Sequence, residues 1–113
     1  VDFGISLHMD AFTNPNAKGG HVCHYPVTSS KRIATAIADS LTGYMTGRAS
    51  KIVARRDLAI LKRTVAPWVL IELGFITSKV DIKKLMDNPK TSQNELQPLI
   101  DVLVKGINKA AKL

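Results

Sequence analysis

The run Trp68-Val69-Leu70-Ile71-Glu72-Leu73 constrains this chain more than any other, because a single carboxylate interrupts a stretch otherwise built for burial. Trp68 and Leu70 alternate with Val69, Ile71 and Leu73, so both faces are apolar. That is the pattern of an interior parallel strand covered on both sides. An ionised carboxylate is costly there unless a cation, a metal or hydrogen bonds compensate it. Gly74 follows and lets the chain turn, which puts Glu72 at the carboxyl end of its strand, the edge where open α/β sheets keep ligands. Taken alone, Glu72 is either a functional acid or a carboxylate paired with an Arg or Lys near that edge.

A second segment has the same design. Phe3, Ile5 and Leu7 alternate with Gly4, Ser6 and His8, and the Asn-, Pro- and Gly-containing stretch 9–20 then reads as a loop. His8 therefore closes a strand. If the two strands run parallel, His8 and Glu72 open onto one rim, where an imidazole and a carboxylate can act on one water at a metal. Otherwise His8 is a hydrogen-bonded strand-end histidine. Asp10, at the start of the loop, reads as a turn former.

Residues 20–25 predict a short strand ended by Pro26, after which Thr28, Ser29 or Ser30 caps a helix. In that helix Ile33, Ile37, Leu41 and Tyr44, with Ala34, Ala38 and Met45 beside them, form one stripe that faces the sheet. Gly43 and Gly47 bracket its end. Arg48, Lys51, Arg55 and Arg56 mark a basic connection, and Leu58-Ala59-Ile60-Leu61 predicts another short buried strand, with Lys62 and Arg63 extending the charge. Charges so dispersed form a solvated surface, with attraction for anionic wall polymers as the alternative. Ser78 and Asp81 have capping-box spacing for a helix bearing Ile82, Leu85 and Met86, which Asn88-Pro89 terminates. Ser92 and Glu95 repeat that spacing before a last helix carrying Leu96, Leu99, Ile100, Leu103, Val104 and Ile107. Pro98 either kinks it or lies in its first turn. Strands alternating with helices, without an internal repeat, predict an α/β layered domain.

A length of 113 residues fits one domain, residues 1–113, and 45% hydrophobic content supplies an ordinary core. There is no apolar run long enough to span a membrane. No secretion signal is visible, and the first residues already read as strand. Cys23, the single cysteine, excludes an internal disulfide and a multi-cysteine zinc site and reads as a small buried hydrophobe. Sixteen basic against nine acidic residues give a net charge of +7, which favours a polyanion: nucleic acid, anionic lipid or an acidic wall polymer. Nucleic acid is disfavoured, because no aromatic stacking platform, Gly-rich basic loop or recognition-helix motif accompanies the charge.

Four segments together carry a family likeness: residues 5–12 around His8, residues 18–22, residues 58–64, and residues 67–75 around Glu72. In content, order and spacing they closely resemble the zinc-dependent N-acetylmuramoyl-L-alanine amidases of bacterial autolysins and phage endolysins. The resemblance implies a twisted, mostly parallel sheet flanked by helices, similar to zinc peptidases. It implies hydrolysis of the amide between the lactyl group of N-acetylmuramic acid and L-alanine in peptidoglycan, at a bacterial cell wall reached by secretion or by phage lysis. It also implies that His8 is a zinc ligand and Glu72 the catalytic glutamate, which takes a proton from the attacking water and passes it to the leaving amine. Asp81 matches an acidic residue common after the glutamate strand, without a chemical role. Burial beside Trp68 and Leu70 should raise the Glu72 pKa, which suits a base that must later act as an acid.

Members of that family bind zinc through two histidines and one glutamate, and the first histidine and the glutamate precede the strand that carries His8. The resemblance thus implies a domain without its N-terminal part, holding only His8 of the three. His21 stands where the family often has an acidic or small polar residue, His24 where it often has an aromatic, and Ser78 where it often has Asn. Positions three apart on a strand point to opposite faces, so His21 and His24 do not both reach one metal without a bulge. Two expectations follow: a zinc-dependent peptidoglycan amidase, or a catalytically incomplete wall-binding or regulatory form of the same domain.

Overall fold

The computed structural model describes residues 2–44, 46–48, 50–62, 65–85 and 96–113. Its elements follow in the order β1 (Gly4–Asp10), β2 (His21–His24), α1 (Thr28–Ser40), β3 (Ile52–Ala54), α2 (Ala59–Lys62), β4 (Trp68–Phe75), α3 (Lys79–Leu85) and α4 (Gln97–Ala111). The strands form one sheet in the order β1-β4-β2-β3. β1 pairs with β4 and β2 with β3 in parallel, while the seam between β2 and β4 is antiparallel. The α/β architecture with a mostly parallel sheet is as expected.

The apolar run of β4 makes it interior. Val69 and Ile71 are fully buried with Val22 of β2, against Ile33 and Ile37 of α1, Leu41 at its end, and Leu99 and Ala110 of α4. The α1 stripe expected to face the sheet does so. Each large side chain removed from water in this way contributes about 1.5–3 kcal/mol. On the other face lies a smaller cluster of Cys23, Leu61 and Leu70, with Trp68 and Tyr25 packed on it. Cys23 is 1% exposed, and burial pushes its thiol pKa up, so it behaves as a small hydrophobe.

Tertiary context overrides several local expectations. Residues 58–61 are not a strand: the Leu58 carbonyl accepts the N–H groups of Leu61 at 3.1 Å and Lys62 at 3.2 Å, and the resulting turn of α2 buries Leu61 in the smaller cluster. The strand lies earlier, in the basic connection, where β-branched Ile52 and Val53 pair with Val22 and Cys23. β1 runs past His8 to Asp10, with a register shift between them. β4 continues through Gly74 to Phe75, so Glu72 stands inside its strand and the chain does not turn at Gly74. Asp81 packs where a Gly74 side chain would be: an added Cβ would lie 3.0 Å from its carboxyl. The residue capping α1 is Val27, without any side-chain bond, so the expected Ser or Thr cap is not made. Pro98 lies in the first turn of α4, where its missing N–H costs nothing. Met45, Arg63, Thr64, Met86, the Asn88-Pro89 stop and the Ser92 and Glu95 pair lie outside the described residues. No helix among the described residues is long and apolar enough to cross a membrane.

Candidate active site

The sheet register brings three polar side chains into a row. His8 of β1 pairs with Glu72 of β4, and on its other side Glu72 pairs with His21 of β2. Directly paired residues project from the same face. The row His8, Glu72, His21 therefore crosses the face that also carries Trp68, Leu70 and Cys23, away from α1 and α4. The convergence of His8 and Glu72 was expected from their strand patterns. The arrival of His21 was not, because it depends on the antiparallel direction of β2. His24 falls on the opposite face, 4% exposed, with its Nδ1 2.8 Å from the Tyr25 carbonyl oxygen. His21 and His24 therefore do not share one metal.

Glu72 is half-buried, and its Oε2 is enclosed without a hydrogen-bond partner. Burial raises its pKa and the charge of Asp10 adds to the rise, while His8, Arg48 and Arg55 oppose it. The direction is the one expected from the apolar neighbours. A buried acceptor without a donor costs about 1–3 kcal/mol, so Oε2 marks where a donor belongs. His8 is exposed, and its Nε2 shares a hydrogen bond of 2.8 Å with Ser6 Oγ. His21 is pushed below its ordinary pKa by burial first, then by Arg48 and Arg55 against an opposing Asp10.

Two carboxylates frame this row. Asp10 makes the expected turn bond, its Oδ1 accepting the Ala11 N–H at 2.9 Å, and also pairs with Arg48 Nη2 at 2.7 Å. Burial raises the Asp10 pKa, but the bonds from Arg48 and Ala11 outweigh it and hold the group below its usual value. Arg48 also donates from Nε to the Gly19 carbonyl at 3.1 Å and lies 4.2 Å over the Phe75 ring. With a side chain 17% exposed, it is part of the scaffold and not of a solvated basic surface. Arg55 does fit that surface description, held in a fork by Asp57 at 2.8 and 2.6 Å.

Asp81 is the residue that sequence reasoning undervalued. It is 3% exposed, and its Oδ2 accepts the N–H of Gly19 at 2.9 Å and of Phe75 at 2.8 Å. Its own N–H reaches Ser78 Oγ at 3.2 Å, so half of the expected capping box forms while the carboxylate turns inward. Asp81 thus ties the residues before His21 to the end of the Glu72 strand. Its spacing from Ser78 signalled a cap; no local signal pointed to Gly19.

Among the described residues, no three His, Cys, Asp or Glu side chains gather as a group able to hold a metal ion. His8 offers one exposed imidazole, and Glu72 Oε2 offers an acceptor on the neighbouring strand.

Comparison with known proteins adds to this geometry. Residues 1–101 match the N-acetylmuramoyl-L-alanine amidase family. An uncharacterised cell wall amidase of Bacillus anthracis is 31% identical over 107 residues, covering 87% of this chain and 20% of that protein. The catalytic domain of an endolysin targeting Clostridia difficile is similar in structure with a TM-score of 0.72 at 30% identity, over 95% of this chain and 54% of that one. The CwlD amidase of Clostridioides difficile, solved in complex with the GerS lipoprotein, shares the fold with a TM-score of 0.82 at 23% identity, over 97% of this chain and 54% of that one. The chain therefore spans about half the length of these solved structures and about a fifth of the Bacillus anthracis protein.

Proposed function

The chain belongs to the N-acetylmuramoyl-L-alanine amidase family, and we propose that it carries the hydrolytic centre that cleaves the amide between N-acetylmuramic acid and L-alanine in peptidoglycan, with Glu72 as general base and then general acid. The observation that carries this reading is the state of Glu72: in register with the exposed His8, raised in pKa by burial, with Oε2 enclosed and unpartnered. A carboxylate whose pKa is raised takes up a proton more readily and can return it. In this role Glu72 accepts the proton of the attacking water on its free oxygen and delivers it to the leaving amine nitrogen.

His8 is proposed as a zinc ligand. Zinc, when bound, lowers the pKa of a coordinated water to about 7 and polarises the scissile carbonyl. The orphaned Glu72 oxygen fits a water placed beside it, whereas a single imidazole does not hold zinc firmly. Further donors would come from residues other than those described. The site of action is proposed to be the bacterial cell wall, with the net charge of +7 favouring anionic wall polymers as additional contacts.

The test is Glu72→Gln in the full-length protein. Release of L-alanine-terminated stem peptides from bacterial walls should stop while wall binding persists, and full activity in the variant would remove Glu72 from this role. Cleavage should also stop on chelation and return with added zinc. One observation favours a second reading, a wall-binding or regulatory form without catalysis: no three-donor group is present among the described residues. Metal analysis of the chain separates the two. Stoichiometric, tightly held zinc rules out the second reading, and trace zinc rules out catalysis by this chain alone.

A further inference from the structure

His21 has no part in the chemistry above, yet its backbone position is restrained from three sides. Gly20 precedes it because an added Cβ would overlap the Glu72 carbonyl oxygen and come within 3.0 Å of the Leu73 carbonyl. The Gly19 N–H is held by Asp81 Oδ2 at 2.9 Å, and the Gly19 carbonyl by Arg48 Nε at 3.1 Å. These ties press the first residue of β2 against β4, opposite Glu72. Across such a seam, facing Cβ atoms are about 4.5–5.5 Å apart. Strands β1 and β2 flank β4 at about 4.8 Å on either side, so His8 and His21 start about 10 Å apart with the carboxylate between them.

Packing does not account for the residue. His21 is only half-buried, in contrast to the buried Cys23, Leu61 and Leu70 of the same face. Among the described residues no hydrogen bond or ion pair engages its ring. Burial and the nearby Arg48 push its pKa down, and the ring carries an N–H donor in either protonation state.

We infer that His21 is a substrate-contacting catalytic residue, its ring N–H donating to the carbonyl oxygen of the scissile amide from the flank of Glu72 opposite His8. The inference rests on the reading of Glu72 as the base. As the water oxygen bonds to the amide carbon, its proton passes to Glu72 and the carbonyl electron pair moves onto oxygen. When the C–N bond breaks, that pair returns and the proton goes to the departing nitrogen. A donor aimed at the carbonyl oxygen strengthens as charge grows there, so it favours the transition state over the bound substrate.

The test measures kcat and KM on a soluble muropeptide with the full-length protein, its Glu72→Gln control, and the variants His21→Leu, His21→Met and His21→Gln, each checked for a cooperative melt. His21→Leu and His21→Met keep bulk without a donor, and His21→Gln keeps an N–H. Loss of the donor should lower kcat on the order of 100-fold with KM within about threefold. His21→Gln should recover about tenfold over the better-folded donorless variant. Two outcomes overturn the inference alone: donorless variants within about twofold of the parent while Glu72→Gln is dead, or His21→Gln no better than the donorless pair. If the parent shows no Glu72-dependent cleavage, the reading of Glu72 and this inference fall together.

Discussion

Asp81→Ala should loosen the two segments that frame the site, and the structure sets the scale of the effect. Oδ2 of this 3% exposed side chain accepts two backbone N–H groups, from Gly19 at 2.9 Å and from Phe75 at 2.8 Å. A hydrogen bond to a charged group contributes about 1.5–3 kcal/mol. Because both donors share one oxygen, the two bonds together fall short of twice that, about 3–4 kcal/mol. Truncation also leaves two enclosed N–H groups without a partner and a void beside Gly74, for a total of about 3–5 kcal/mol. Against a typical domain stability of about 5–15 kcal/mol, that is a large fraction. Urea unfolding followed by circular dichroism should show the midpoint falling at an unchanged slope. Asp81→Asn keeps an acceptor oxygen without the charge and should lose about half as much. A loss below about 1 kcal/mol for Asp81→Ala would refute the reasoning, because it would mean that water satisfies both donors equally well.

Two further outcomes follow from the electrostatics of the row. The folded-state pKa of Glu72 lies above the ordinary 4.5, so the parent loses stability as pH rises from that value through the folded pKa, whereas Glu72→Gln does not. The stability gained by Glu72→Gln in urea unfolding should therefore grow as pH rises above 4.5, and a gain independent of pH would contradict the assigned burial. Arg48→Met removes a positive charge that lowers the His21 pKa and frees Asp10, which raises it. The His21 ring signals, followed by NMR, should then titrate at a higher pH than in the parent; a downward shift would show that Arg48 does not act on His21.

The parts of the fold legible from the chain were those where one periodicity dominates. The apolar run of β4 and the α1 stripe pack as their spacing requires, whereas the α4 stripe does so only in part: Leu99 and Leu103 meet the core with Gly106 and Ala110, and Ile100 and Val104 are exposed. The misplaced elements are short. Residues 52–54 and 58–61 both contain β-branched or aliphatic residues beside charge, and only the available partners, Val22 and Cys23 for one and the smaller cluster for the other, make the first a strand and the second a helical turn. His8 and Glu72 stood out as candidates because polar groups within largely apolar strands are conspicuous, although both strands run on past them. Asp81 and Arg48 did not, because their partners Gly19 and Asp10 lie far away in the chain.

Local alternation of side chains, which depends only on the two-residue period of an extended backbone, determined that Glu72 shares a face with Trp68 and Leu70, and that His21 and His24 point apart. Whether His8, Glu72 and His21 lie side by side depends on strand order and direction. Those follow from long-range pairing and loop closure, here the parallel β1/β4 seam, the antiparallel β2/β4 seam and the buried carboxylate that holds the residues before β2 in place. A pattern along one strand carries no term for which strand lies next to it, so the row itself was decided only in the folded molecule.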